Sequence, residues 1–549
     1  MDLMSSLTPT TLTIHKEGRV HIVKRIFRQS SWLPRLAIAL TLALAVLWSL
    51  HASVGHAASS DSTSTNYVVA FNQQGSLPAN VDQVVANAGG TITARLPEIG
   101  GIGVSSSNPN FATAIASDPS VKSADVATPI KLIDPVDDNT SSSSSTNNGG
   151  TFSPAGPDPQ PEPDSLGNQQ WDKMRMNVSL TGSYAIQRGR KDVRVAVLDT
   201  GVDQTHIDIA ANLDTADSAS FVPTEPTIQD FNGHGTWTAS AVAAPINGVG
   251  ISGVAPNVTL VEEKVLTGSG QGLFLWLDEA LVYAGLNHFD VASMSLGGYI
   301  PKCGSNGNPN GCDHPDYILL NRAVQFARSN GVLPVAALGN DGFDLSNGAF
   351  FRDYIEAPGE IAGVVGVSAT GYYNQKAFYS NYGMGKTDVS APGGSTRDYT
   401  GVPGSGTPPP PYFGLGRLIG AWSSTGSSAP ANPHEECTGP EGTPPCFLYG
   451  YVQGTSMATP NVAGVAALII SQYGDFSSNN QNKPHMSPTQ VESILQITAN
   501  NQPCPTPNTV VQGPGFVFPT ATCQGDTGYN DFFGKGIVDA VKAVTFQNP

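Results

Sequence analysis

The stretch VRVAVLDTG, residues 193–201, carries the reading of the fold. Val193, Val195, Ala196, Val197 and Leu198 form an apolar run interrupted only by Arg194, and an Asp and a Thr-Gly pair follow at once. A continuous run, unlike an alternating one, suits a strand buried on both faces. Comparable runs recur in TLVEEKVL (259–266), VASMSL (291–296) and GVLPVAAL (331–338). Helical patterns separate them, including WTASAVAA (237–244) and NRAVQFARSN (321–330). Strands alternating with helices predict a mostly parallel sheet covered on both faces, so the last two-thirds of the chain reads as an α/β domain.

In such sheets reactive groups gather at the carboxyl ends of strands, where Asp199 stands. NGHGTWTASAVAA (232–244) puts His234 at a helix start between Gly233 and Gly235, and GTSMATPNVAG (454–464) puts Ser456 at another. Singly these residues have ordinary explanations: a turn Asp, a surface His, an N-capping Ser. Together they supply a carboxylate, an imidazole and a hydroxyl. A serine hydroxyl is a poor nucleophile until a neutral imidazole accepts its proton, and a carboxylate fixes the tautomer of that imidazole. The small residues around Ser456 leave room for a substrate backbone, and the helix start favours the negative charge that develops there.

The rest of the chain sets limits. With 549 residues it is too long for one ordinary core, and two or three segments are expected. Only 13% of residues are charged, while 60 Gly and 42 Pro favour a loop-rich globular protein. A net charge of −17 argues against nucleic acid as a partner. Basic residues from Lys16 to Arg35 precede the apolar run LAIALTLALAVLWSL (36–50), and small residues follow near Ala57. This reads as an export signal over 1–57, because the run falls short of the ~18 residues a membrane span needs. Within the segment 58–133, residues 66–133 show a β-α-β-β-α-β pattern suited to a small ferredoxin-like fold. Residues 134–167 form a Pro/Ser-rich linker, and 168–549 hold the α/β domain. The six cysteines fall as three local couples, Cys303 with Cys312, Cys437 with Cys446 and Cys504 with Cys523. Three loop-stapling disulfides are expected, although six cysteines allow fifteen pairings. Glycosylation sequons stand at Asn139, Asn177 and Asn257.

The succession DTG, HGT, GTSMATP resembles the subtilisin-like serine endopeptidases over roughly residues 168–543, with FYSNYG (378–383), DVSAPGG (388–394) and GKGIVDAVKAV (534–544) in matching places. The resemblance implies a three-layer subtilisin-like domain preceded by an inhibitory α+β propeptide, 58–133. It implies Asp199 as orienter, His234 as general base and Ser456 as nucleophile, with Asn340 of AALGN as oxyanion donor. Ser295, Leu296, Gly297 and Gly298 would bind extended peptide by strand addition, opposite Ala337, Leu338 and Gly339. A structural calcium would lie on Asp208, Pro245, Asn247, Val249 and Ile251, and catalysis would need no cofactor. Asp341 at the pocket rim or Glu356 at its floor would favour Lys or Arg before the cut bond.

The implied protein is a secreted, extracellular zymogen. It would hydrolyse proteins and peptides through an acyl-enzyme, remove its own propeptide by a cut within about 134–170, and act as a monomer free of the membrane. A processing protease dedicated to one partner, or a non-catalytic binding relative, are the alternatives. Trp237 and Asn461 depart from the family pattern, which usually has His at both places. Three stretches, 299–316, about 395–450 and 500–530, are long, and each carries one cysteine couple.

Overall fold

The computed structural model describes residues 64–133, 163–303, 313–348, 350–396, 416–427, 430, 433–477, 484–510 and 520–547. The expected export signal, most of the linker, Asn139 and Cys312 lie outside these residues.

The N-terminal unit runs β1 (Thr65–Phe71), α1 (Val81–Asn87), β2 (Gly90–Leu96), β3 (Gly101–Ser106), α2 (Phe111–Ile115) and β4 (Val121–Val126). Its four strands are antiparallel in the order β2-β3-β1-β4, with the β-α-β-β-α-β succession read from the sequence. The period-2 pattern of β1 serves two cores. Tyr67, Val69 and Phe71 pack with Val84, Phe111 and Ile115, whereas Val68 and Ala70 join the core of the large domain.

The large domain is built on a seven-stranded sheet. It contains β6 (Arg194–Asp199), β7 (Ala219–Ser220), β8 (Thr259–Lys264), β10 (Val291–Met294), β12 (Leu333–Ala337), β14 (Val365–Thr370) and β15 (Val389–Pro392), ordered β15-β14-β12-β10-β6-β8-β7. All its pairings are parallel. Helices α3 (His234–Ala243), α4 (Phe274–Leu286), α5 (Pro315–Ser329) and α6 (Thr455–Tyr473) cover it. Val195 and Val197 share a core with Ala239 of α3 and Val462 of α6, while Ala196 and Leu198 face Leu277 of α4 and Leu320 of α5. One strand thus feeds both covering layers, which is why its apolar run is unbroken. Strand β8 departs from the apolar rule, since Glu262, Glu263 and Lys264 are all buried. Burial pushes both glutamates well above the usual carboxyl range.

Two glycines let the N-terminal sheet lie directly on helices α4 and α5. A methyl at Gly101 would stand 2.6 Å from Leu319, and one at Gly103 2.4 Å from Leu275. Arg322 of α5 donates to the carbonyls of Phe71 and Ile99 at 3.0 and 2.9 Å.

A second sheet contains β13 (Tyr354–Ala357), β11 (Leu296–Pro301), β5 (Pro129–Leu132) and β9 (Gln271–Leu273) in that order. Within the expected long stretch 395–450, residues fold into β16 (Leu418–Trp422), β17 (Pro433–Cys437) and β18 (Cys446–Val452), ordered β16-β18-β17. This sheet packs on α3 at Trp237, whose indole donates to the Gly450 carbonyl at 3.1 Å. Disulfides join Cys437 to Cys446 and Cys504 to Cys523, and Cys303 is disulfide-bonded too. The linker ends earlier than its expected boundary at 167. Asp164 already accepts from the backbone of Asn247 and Gly248 and from Ser252 Oγ, so residues from 164 on belong to the large domain. Among the described residues no helix is long and apolar enough to cross a membrane.

Candidate active site

Strand β6 delivers Asp199 to the carboxyl end of the sheet, and α3 begins with His234. The turn before His234 needs glycine: Gly233 has φ +116°, and a methyl there would stand 2.1 Å from the Trp422 indole. Asp230 ties this turn together, accepting from Asn232 N, Gly233 N, Thr236 N and the hydroxyls of Thr200 and Thr236 at 2.7–3.0 Å. The result is a buried contact of His234 Nδ1 with both Asp199 oxygens, at 2.8 and 3.0 Å. Asp199 also accepts from Thr200 N at 2.7 Å and Thr238 Oγ1 at 3.2 Å. An acceptor facing Nδ1 keeps the proton there and leaves Nε2 basic.

Ser456 is the second residue of α6. Its hydroxyl donates to the Ile133 carbonyl at 2.8 Å, and the Ser295 carbonyl lies 3.3 Å away. It makes no hydrogen bond to His234, whose Nε2 is buried without a partner among the described residues. Strand pairing nonetheless brings the Ser456 segment to the strand end that carries Asp199. Strands β6 and β10 pair Leu198 with Met294, so Ser295 is level with Asp199, and Ser295 Oγ donates to the Ser456 carbonyl at 2.8 Å.

Asn340 follows β12. Its Oδ1 accepts from Thr455 N and Thr455 Oγ1, both at 2.9 Å, which aims Nδ2 toward Gly454. A methyl at Gly454 would stand 3.0 Å from that nitrogen. Asn381, inside FYSNYG, holds the loop: its Nδ2 donates to Leu338 O at 2.8 Å, and its Oδ1 accepts from Asp341 N and Phe343 N. The sequence reading used that motif only for recognition and missed this work.

The cleft contains part of the chain itself. Strand β5 lies antiparallel between β11, pairing Leu132 with Leu296 and Lys131 with Gly297, and β9, pairing Pro129 with Leu273 and Lys131 with Gln271. Residues 121–133 read as one extended stretch of the N-terminal unit, but β4 stays in that unit while β5 leaves it. Strand β9 on the far side was not anticipated. Gly298 also faces this segment, and a methyl there would stand 3.3 Å from Pro129 O. Leu338 turns its side chain into the core against Gly359 and Gly366, and its backbone is committed within the fold: its N–H donates to Val367 O at 3.2 Å and its carbonyl accepts from Asn381 Nδ2, while the Gly339 carbonyl accepts from Asn381 N at 2.9 Å.

Of the two expected specificity residues, Asp341 is exposed and accepts from Tyr299 OH at 2.7 Å. Glu356 is buried beside the cleft. Four of the five expected calcium residues, Pro245, Asn247, Val249 and Ile251, fall on one loop that meets the fifth, Asp208, through the Ile251 N–H. Asp208 Oδ2 accepts from Tyr449 OH at 2.8 Å and Ile251 N at 3.2 Å, while its Oδ1 is buried without a partner among the described residues. Burial, opposed by those hydrogen bonds and reinforced by Asp164 and Glu436, raises the Asp208 pKa to about 8. An orphaned carboxylate oxygen among other acids suits a hard cation. Asp164 and Tyr449 come from distant segments and were not anticipated. At the departures from pattern, Asn461 Oδ1 accepts from buried Lys173 Nζ at 2.7 Å, and Trp237 supports the added sheet.

Fold and site define the class of the chain, and comparison with known proteins agrees. Residues 190–536 match the family model described as the subtilase family, and the chain belongs to that family. It is 34% identical over 325 residues to the alkaline protease of Alkalihalobacillus alcalophilus, covering 59% of this chain and 61% of that protein. The M-protease of Shouchella clausii is 34% identical over 341 residues, 62% of this chain and 64% of that protein. The chain thus spans less than two thirds of either relative. Subtilisin Savinase of Lederbergia lenta is 34% identical over 59% of this chain and 87% of its own length. Among solved structures, the epidermin leader peptide processing serine protease of Staphylococcus aureus matches 88% of this chain and all of its own, with TM-score 0.62 and 21% identity. Fervidolysin of Fervidobacterium pennivorans matches 89% and 62%, with TM-score 0.59 and 21% identity. These structural likenesses concern the fold.

Proposed function

We propose that this chain is a serine endopeptidase made as a precursor, with its own N-terminal unit as intramolecular inhibitor and first substrate. The observation that carries this reading is the 2.8 Å hydrogen bond from Ser456 Oγ to the Ile133 carbonyl, at the end of a strand paired on both edges within the cleft. Backbone pairing on two sides accounts for binding of extended peptide with little dependence on sequence.

Rotation of the Ser456 side chain toward His234 Nε2 allows that nitrogen to take the hydroxyl proton as Oγ attacks the carbonyl carbon. The Asp199 carboxylate steadies the imidazolium, and Asn340 Nδ2 with the Ser456 N–H holds the oxyanion. Imidazolium then protonates the departing amine, leaving an acyl ester that water hydrolyses by the same steps reversed. In the precursor the bond so presented is Ile133–Asp134. The basic segment, apolar run and Ala57 support export. Asp208, with the 245–251 loop, would hold a stabilising calcium and would take no part in bond cleavage.

N-terminal sequencing of the matured protein tests the reading. A new terminus at Asp134, absent from Ser456→Ala, is expected along with labelling of Ser456 by a fluorophosphonate. An unlabelled serine, or processing that survives Ser456→Ala at low concentration, overturns it.

A further inference from the structure

Glu356 sits where the first residue before the cut bond places its side chain. A methyl built on Gly297 would stand 2.6 Å from Glu356 Oε1 and 3.1 Å from Ile133 Cδ1, so carboxyl and side-chain tip border the same glycine. On its other side the carboxyl abuts Gly359, where a methyl would stand 2.5 Å from Oε2. Glu356 is 2% exposed, and among the described residues its Oε2 has no hydrogen-bond partner. Its backbone N–H donates to Glu360 Oε2 at 2.8 Å, and Lys386 is already paired with Glu360 at 2.5 Å. Asp341, at the rim, is occupied by the Tyr299 hydroxyl. Among the described residues Glu360 and Asp341 thus add acid to the pocket, and Lys386 is committed to Glu360.

An unpaired buried carboxyl is costly unless neutral or matched by a donor. With the aliphatic Ile133 beside it, burial, Glu360 and Asp341 push Glu356 well above the usual carboxyl range, opposed by a hydrogen bond from the Gly359 backbone. An ammonium or guanidinium at the same depth would supply both the missing donor and the counter-charge. An apolar pocket distinguishes neighbours in size by only roughly 10- to 200-fold, whereas a site with an unmatched buried polar group rejects partners lacking the donor far more strongly.

Resting on the proposed peptidase activity, we infer that Glu356 is a specificity-determining residue that selects Lys or Arg before the cut bond. The chain's own tail, ending in Ile133, fills this pocket without meeting its chemistry. It is thus a poorly matched occupant, suited to a single slow turnover within its own molecule rather than to fast cleavage between molecules.

The test uses the matured protein and fluorogenic peptides differing only at that residue: Ile, Leu, Phe, Lys and Arg. The expected result is a kcat/KM for Lys or Arg at least tenfold above Leu, Phe and Ile. Glu356→Gln should lower the Lys-to-Leu ratio tenfold or more. Wild-type preference for Leu or Phe overturns the inference, as does a Lys-to-Leu ratio unchanged in Glu356→Gln. The wild-type series stands even if the variant fails to fold. Loss of fluorophosphonate labelling with no peptide cleaved would instead count against the peptidase reading itself.

Discussion

Replacing Asp199 with Asn tests the site's electrostatics without changing its shape. Asp199 presents only acceptors to three donors: Thr200 N at 2.7 Å, Thr238 Oγ1 at 3.2 Å and His234 Nδ1 at 2.8 Å. An Asn amide must turn its NH2 toward one of them. The Thr200 N–H is fixed in the backbone, so the least costly accommodation moves the imidazole proton to Nε2 and lets Nδ1 accept. That tautomer cannot take the Ser456 proton. A triad held in the wrong tautomer loses about 10⁴ in kcat, as measured for a serine protease of another fold. This corresponds to roughly 5.4 kcal/mol at 1.36 kcal/mol per decade. The assay is first-order conversion of the precursor, followed by gel at several dilutions. The substrate is already seated, so binding of a second molecule does not enter. Conversion by Asp199→Asn within tenfold of wild type would show that the contact with His234 is not what makes Ser456 reactive.

Removing the oxyanion donor with Asn340→Ala should slow kcat by about 10²–10³ with little change in KM, a magnitude measured on a subtilisin. Gly103→Val places bulk against Leu275 and Thr93, and overpacking of ~1–3 kcal/mol should weaken the hold of the cleaved N-terminal unit by roughly 5- to 150-fold, read as its inhibition constant. The joint between units also responds to pH. Asp316 Oδ2 accepts from Thr128 N, and burial raises its pKa to about 7, with Asp125 adding to the rise. Asp278, buried close to Asp316, is raised well above the usual range, while burial lowers His314. For a raised carboxyl the docked state holds the proton more tightly, so stabilisation is complete below the ordinary carboxyl pKa and lost as pH rises through about 7. Release of the cleaved unit should therefore accelerate from pH 5 to pH 8, measured by stopped-flow or size exclusion, and a flat profile would remove these groups from the account. Asp208, at about 8, obeys the same sign in the metal-free protein: stability falls as pH rises toward 8. Millimolar calcium should raise Tm most at the alkaline end, and Asp208→Asn should abolish that difference.

The sequence by itself determined the parallel α/β domain, the smaller unit ahead of it and the three residues proposed to react. Those features rest on local patterns: unbroken apolar runs, strand-to-helix junctions at Asp199, His234 and Ser456, and a β-α-β-β-α-β succession. What joins distant segments was decided only in three dimensions. Nothing local in PIKLI (129–133) distinguishes a fourth-strand continuation from a strand placed in the cleft; edges supplied by Leu296 and Gln271, more than a hundred residues away, make that choice. The same holds for Asp230 binding the His234 turn, Tyr449 reaching Asp208 from the disulfide-bonded sheet, and Glu356, whose isolation follows from glycines at 297 and 359. Short-range preference depends on neighbours a few residues apart and is written in order along the chain. Burial, orphaned oxygens and paired edges depend on which remote surfaces exclude water together, and packing alone sets that.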